Sequence, residues 1–283
     1  MIFLETINWY PGHMVKTKRL IKENIKVIDV VVEIIDARVP ESSRNPVLKE
    51  LIGDRPLLLV INKEDLADEE ITMRWLNYYK NSGQAAVVVN AITGKGLKQM
   101  KAEIRSLAEQ RMKGKSYKAN ALPRVMIVGI PNSGKSSLIN KLSGKNVAKT
   151  GNKPGVTRGQ QWINLKEFQL MDVPGILWPK FECQEIGFKL AITGAIGDHV
   201  FDVTEVTIGL MELLAAEYSQ TLDEKYGINS YGKTGLELVE MVGRKRGCLQ
   251  KGGVVNLLKA SEIILKEFRA GKIGKITLDR PKN

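Results

Sequence analysis

Cysteine is scarce in this chain of 283 residues: there are two, Cys183 and Cys248, far apart and without a Cys-x-x-Cys spacing. They read as free thiols in a reducing cytoplasm, with no disulfide framework and no zinc-ligand pattern. Long apolar runs are missing too, and none approaches the roughly 20 residues of a membrane span. The first residues, Met1-Ile2-Phe3-Leu4-Glu5, lack the basic start and apolar stretch of a secretory signal. A soluble, cytoplasmic protein with no membrane partner is expected. Acidic side chains are also in deficit: 31 Asp and Glu face 43 Lys and Arg, for a net charge of +12 and a pI of about 9.5.

What is present is apolar enough, at 43%, for one medium domain plus a smaller one. A charge excess of this size points to a polyanionic partner, although a generally basic surface gives the same sum. Clustering favours the partner. From Met241 to Asn283 eleven Lys and Arg face three acids. A second cluster comprises Lys16, Lys18, Arg19, Lys22 and Lys26, and a third Arg111, Lys113, Lys115 and Lys118.

Apolar, β-branched runs predict strands over 27–35, 57–61, 85–89 and 124–128, and a hairpin pair over 162–165 and 168–171. Helical periodicity predicts helices over 13–26, 42–52, 68–81, 96–113 and 135–143. Strands that alternate with helices and are buried on both faces make an α/β fold with a doubly wound, mostly parallel sheet. Past residue 179 the strand signal fades. Helices are expected over 182–192, 199–219, 234–243 and 253–270. The expected organisation is an α/β domain over 1–179 and a smaller all-α domain over 180–283.

Three motifs carry chemistry. Gly129-Ile130-Pro131-Asn132-Ser133-Gly134-Lys135-Ser136, with Ser137 after it, follows a strand and opens a helix, as a phosphate loop requires. Its backbone N–H groups and helix N-terminus suit phosphate oxygens. Lys135 is assigned to the β- and γ-phosphates and Ser136 to Mg²⁺. Asp172-Val173-Pro174-Gly175 ends a strand. Asp172 is assigned to Mg²⁺ through a water and the Gly175 N–H to the γ-phosphate. Thr157, between these motifs, is the candidate switch threonine for Mg²⁺ and γ-phosphate; otherwise it is a turn residue. Asn62-Lys63-Glu64-Asp65 also follows a strand. The Asp65 carboxylate can accept both N–H groups of the guanine edge, a pair that adenine does not offer. Lys63 can lie over the base. Asn90-Ala91, after the strand 85–89, reads as the supporting loop, with the Ala91 N–H toward guanine O6.

The order of these motifs is a rotation. Base recognition precedes the phosphate loop, whereas in an ordinary GTPase it comes last. The polar stretch from Gly114 to Asn120 then joins the old termini, which compact domains often hold close together.

Some positions keep two readings. Ile176 stands where many GTPases place a glutamine to orient the attacking water. Isoleucine neither donates nor accepts, so slow turnover alone is expected; equally, it can simply pack on the sheet. Asn132 offers a carbonyl that can help hold K⁺ beside the phosphates. His13, in Trp9-Tyr10-Pro11-Gly12-His13-Met14, can orient the water if its segment folds over the site, or be structural. His199 reads as structural. Asp36-Ala37-Arg38 ends a strand, where ligands bind in such sheets, or braces its loop as an ion pair.

Together these residues resemble the circularly permuted GTPases of the RbgA (YlqF) type, which assemble the large ribosomal subunit. The carriers are the aromatic-Pro-Gly-His-Met segment at 9–14, Asp36-Ala37-Arg38, Asn62 to Asp65, Gly129 to Ser136 and Asp172 to Ile176. The resemblance implies that His13 is catalytic, that hydrolysis needs Mg²⁺ and is stimulated by K⁺, and that the large subunit activates it. It implies that the helical domain binds rRNA, with Arg244, Lys245, Arg246 and Lys251 as the matching phosphate contacts. Val173 departs from a usual threonine and Asn90 from a usual serine. A monomer is expected that docks with GTP on a large-subunit precursor and leaves with GDP. The rival expectations are an RNA-binding placeholder with a structural nucleotide and a GTPase directed at tRNA.

Overall fold

The computed structural model describes residues 12–112, 122–145, 161–178, 181 and 183–282. They form two compact units. The described residues between 12 and 178, with 277–282, make an α/β unit, and those within 181–276 make a helical unit.

The α/β unit holds strands β1 (Val30–Asp36), β2 (Leu57–Asn62), β3 (Ala86–Val89), β4 (Arg124–Gly129), β5 (Gln161–Asn164) and β6 (Gln169–Asp172). They form one sheet in the order β3-β2-β1-β4-β6-β5. Every pairing is parallel except that of β5 with β6. All seven residues of β1 are buried, as expected of a central strand covered on both faces. Val30, Val32 and Ile34 pack with Met100, Ile104 and Ala108 of α4 (Leu97–Met112) and with Leu138 and Ile139 of α5 (Lys135–Ser143). Val31 and Ile35 point the other way. Val31 joins Ile21 of α1 (Gly12–Asn24) and Leu48, Leu51 and Ile52 of α2 (Pro46–Ile52). Ile35 joins Trp75, Leu76 and Tyr79 of α3 (Glu69–Asn81). A slip of one residue would exchange the two faces, so both layers pin the register.

Two departures have identifiable causes. Residues 25–27 form a 3-10 turn where the end of a helix and the first residue of a strand are expected, and β1 starts only at Val30. Arg55 Nε donates to the carbonyls of Ile25 and Ile28, at 3.2 and 3.0 Å, and holds that turn. Helix α2 starts at Pro46, not 42, because Asn45 caps it and proline fits the first helical position.

The helical unit contains α6 (Gln184–Ile192), α7 (Val203–Glu217), α8 (Ser219–Tyr226), α9 (Gly235–Lys245) and α10 (Leu257–Arg269). The single helix expected over 199–219 ends at Glu217, and α8 follows it unforeseen. Helix α7 packs on α9 and α10. Asp202 and Asn256 cap α7 and α10, and Thr234 and Glu237 form a reciprocal capping box on α9. Both cysteines are free, Cys183 exposed and Cys248 buried. No helix among the described residues is long and apolar enough to cross a membrane.

After α10 the chain returns to the α/β unit. The Leu278 N–H donates to the Arg38 carbonyl at 2.7 Å. The Ser42 N–H and hydroxyl donate to the Asp279 carboxylate at 2.8 and 3.0 Å.

Candidate functional site

From β1 the chain winds outward to β2 and β3, and from β4 to the β6 side. The sheet order therefore reverses between β1 and β4, and the crevice beyond their carboxyl ends is where such sheets bind ligands. Asp36 ends β1, Asn62 ends β2, Asn90 follows β3, Gly129 ends β4 and Asp172 ends β6. These strands are parallel, so all five residues come to one edge of the sheet.

Beyond β4, residues 130–134 curl into the N-terminus of α5. Gly134 has φ +98°, and a Cβ there would lie 2.2 Å from Asn62 Nδ2; only glycine fits. Pro131 and Ser133 are buried, and the Ser133 hydroxyl donates to the Ile130 carbonyl at 2.9 Å. Ser136 and Ser137 are half-buried in the first turn of α5. Lys135 is buried, and its Nζ donates to the carbonyls of Gly129 and Ile130 at 2.9 and 2.8 Å. Burial lowers its pKa, against the attraction of Asp172.

The Asn62–Asp65 motif and the loop at Asn90-Ala91 are tied to this loop. Asn62 Nδ2 donates to the Ser133 carbonyl at 2.8 Å, and Asn62 Oδ1 accepts from the Ala91 N–H at 3.0 Å. One amide thus joins three loops. Lys63 Nζ donates to Asp36 Oδ2 at 2.8 Å and to the Asn132 carbonyl at 2.5 Å. Lys63 (φ +63°) and Asn132 (φ +58°) are the two non-glycine residues with positive φ among the described residues. Backbone strain therefore collects in this site. Asp65 is exposed in a 3-10 turn over 64–66. Asn90 Oδ1 accepts from the N–H groups of Ile92 and Thr93, each at 2.9 Å. This turn explains an asparagine at 90, since its carbonyl spans two residues onward.

Asp36 is enclosed by cations. Arg38 donates to it from Nε at 2.9 Å and from Nη2 at 2.8 Å. Burial pushes the Asp36 carboxyl up, but Arg38 and Lys63 together reverse this and hold it well below the usual carboxylate range. The bracing role of the Asp36–Arg38 pair is therefore real, and it extends to Lys63.

Asp172 is buried, and its Oδ1 has no hydrogen-bond partner among the described residues. Burial raises its pKa, opposed by Lys135. A buried, unpartnered carboxylate oxygen beside a phosphate loop calls for a partner and fits a hydrated divalent cation. A Cβ on Gly175 would lie 2.9 Å from both N and Cα of Pro131, so glycine lets this segment close on the phosphate loop. Ile176 is buried with Ile21, Val128 and Met171. Its N–H donates to the Gly129 carbonyl at 3.2 Å, and its carbonyl accepts from Asn45 Nδ2 at 3.2 Å. The packing reading of Ile176 holds. Asn45 was not foreseen here; its only sequence signal was the proline after it.

Thr157 lies outside the described residues. His13 falls in α1, but its side chain lies outside them as well. In the helical unit, Arg246 pairs with Glu267 at 2.8 Å and lies over the Tyr226 ring. Lys245 Nζ donates to the Gly227 carbonyl at 2.5 Å, Arg244 Nη1 reaches the Gly253 carbonyl at 3.5 Å, and Lys251 is exposed.

Residues 124–227 match the family described as 50S ribosome-binding GTPase. The match starts at β4 and leaves β1, β2 and β3 outside. The chain is 46% identical over 279 residues to ribosome biogenesis GTPase A of Bacillus cereus, covering 97% of this chain and 94% of the relative. It is 32% identical over 278 residues to the protein of that name from Thermotoga maritima, covering 98% and 95%. The crystal structure of GNP-bound YlqF from T. maritima superposes with a TM-score of 0.67 at 29% identity, covering 95% of this chain and 99% of that one.

Proposed function

The chain belongs to the ribosome biogenesis GTPase A family, a GTPase of ribosome assembly, and we propose that it acts on a precursor of the large subunit. It docks there with GTP bound, contacts rRNA through its helical unit, and leaves after hydrolysis. The observation that carries the nucleotide part is the convergence of Asn62, Lys63, Gly134, Lys135 and Asp172 on one sheet edge, joined through the Asn62 amide.

In this reading the N–H groups of residues 132–137 cradle the phosphates at the α5 N-terminus, against Pro131, which has no N–H to give. Lys135, now folded onto its own loop, turns to the β- and γ-phosphates. The Gly175 N–H meets the γ-phosphate, and Asp65 reads the guanine edge with Asn90 and Ala91 supporting it. Ser136, Thr157 and Asp172 would hold Mg²⁺, which neutralises charge developing on the β- and γ-oxygens. The Asn132 side chain would hold K⁺, taking the part of an arginine finger. Ile176 is buried and cannot orient water, so His13 takes that task when the protein is on the ribosome. Slow turnover by the free protein follows. The γ-phosphate sensor runs directly through Leu177-Trp178-Pro179 into the helical unit, so loss of the phosphate can re-aim that unit with little intervening chain. Arg244, Lys245, Arg246 and Lys251 contact phosphates, and Lys251 does so with the fewest structural ties. A monomeric, cytoplasmic protein suits this cycle.

The test is GTP turnover in K⁺ buffer with and without purified large subunits. Strong stimulation, lost in His13→Ala, is the expected result. Bound GTP without stimulation would favour an RNA-binding placeholder. Selective retention of tRNA in place of large-subunit RNA would favour a tRNA-directed GTPase. A release rate from ribosomal particles that is the same with GTP and GDP would sink the cycle.

A further inference from the structure

The base-reading turn, Asn62 to Asp68, is held at both ends by groups outside the motif. At its start, Lys63 Nζ donates to Asp36 Oδ2 at 2.8 Å. Asp36 is in turn fixed by the Arg38 side chain and by the Arg38 N–H, the latter at 3.0 Å. At its end, the Asp68 N–H donates to Thr277 Oγ1 at 3.0 Å, and Asp68 itself caps α3. Asp65 lies between these anchors with its carboxylate exposed.

Both anchors lead to the last residues of the chain. The Thr277 hydroxyl also donates to the Ala37 carbonyl at 3.4 Å. The Leu278 N–H takes the Arg38 carbonyl. The Asp279 carboxylate holds the Ser42 N–H and hydroxyl, and its carbonyl accepts from Trp75 Nε1 at 3.2 Å on α3. Thr277, Leu278 and Asp279 are all buried.

We propose that the C-terminal segment 277–280 is a built-in clamp of the guanine site, with Asp36, Arg38 and Thr277 as positioning residues that set Lys63 and Asp65 for base recognition. Residues 277–280 belong to the α/β unit, as does the guanine motif. Base reading therefore depends on residues 277–280 as well as on the Asn-Lys-Glu-Asp motif.

The test compares GDP with IDP, whose hypoxanthine lacks the exocyclic amine that Asp65 reads. Affinities of the full chain would be measured by calorimetry, with thermal unfolding to verify each fold. Thr277→Val keeps the shape but removes both hydroxyl bonds. Asp36→Asn keeps an oxygen for Arg38 but weakens the hold on Lys63. Each is expected to weaken GDP by roughly tenfold and to shrink the GDP-over-IDP preference by several-fold. Thr234→Ala, which loosens a cap in the helical unit, should leave the preference unchanged. A chain ending at Ile276 should lose the preference. If it does not fold, Thr277→Val and Asp279→Asn decide. Folded Thr277→Val and Asp36→Asn proteins with the wild-type GDP-over-IDP ratio would overturn the clamp, whether both affinities are kept or both fall in equal measure; the latter would leave a structural brace only. The proposal rests on the guanine-nucleotide reading; a wild-type chain that did not prefer GDP to IDP would instead sink the assignment of Asp65.

Discussion

Asn62→Ala is the sharpest perturbation of this site. The Asn62 side chain is buried, its Nδ2 serves the Ser133 carbonyl and its Oδ1 serves the Ala91 N–H. Alanine leaves both backbone groups without those partners. An unpaired buried donor or acceptor costs about 1–3 kcal/mol, and water entering the space recovers part of it. The summed loss should be about 2–4 kcal/mol in the urea unfolding of the nucleotide-free protein. The same change unties the base-supporting loop from the phosphate loop, so GDP affinity should fall by at least about tenfold, or 1.4 kcal/mol. Amide exchange should quicken at Ala91 and in the first turn of α5 together. Asn62→Asp separates the two bonds. It keeps an acceptor for the Ala91 N–H but sets a carboxylate against the Ser133 carbonyl, so it should be at least as damaging to GDP binding. An Asn62→Ala protein within about 0.5 kcal/mol of wild type, the scale of an ordinary surface change, and with unaltered GDP affinity would refute the claim that this amide joins the loops.

Three more outcomes follow from local geometry. In Gly175→Ala the new methyl meets the Pro131 backbone at 2.9 Å; GTP turnover should drop by about 100-fold, as for loss of a transition-state donor, while calorimetric GDP affinity changes little. In Ile176→Gln an amide enters an apolar cluster, so stability should fall by about 1–3 kcal/mol in urea titration, with no gain in turnover. Glu33 is buried in β1, and burial raises its pKa above 4.5 against the opposing pull of Arg44. Its ionisation therefore costs nothing below the ordinary carboxylate range and destabilises the fold as pH rises through the raised value. Glu33→Gln keeps an acceptor for the Asn45 N–H, so it should gain about 1 kcal/mol over wild type at pH 8 and lose that advantage toward pH 4, read from urea midpoints across that range.

Much of this was legible because it is local chemistry. Val30 to Ile35 announces a central strand through β-branched residues interrupted only by Glu33. Gly129 to Ser136 announces its loop because phosphate cradling needs small residues and a lysine at set spacing. Pro46 after Asn45 marks a helix start, though periodicity alone placed it four residues early. The rotated motif order was also a property of the sequence, since a parallel sheet sends every strand's carboxyl end to one edge whichever strand comes first.

The remainder depended on partners distant in the chain. Arg55 decides that residues 25–27 turn, and nothing near Ile25 records it. Ile176 reads alike as a missing catalytic group or as core, and only its packing with Ile21, Val128 and Met171 separates the two. Asp36 could brace or bind; only the assembled structure shows that it braces Arg38 and also holds Lys63. Thr277 and Asp279 gave no signal, because a hydroxyl and a carboxylate in a basic tail acquire meaning only when Ala37, Ser42 and Asp68 arrive beside them. The sequence by itself determined which chemistry the strand ends carry, since motif spacing is set by backbone geometry over a few residues. Tertiary structure alone decided which groups hold those motifs in place, since hydrogen bonds and burial are properties of assembled neighbours.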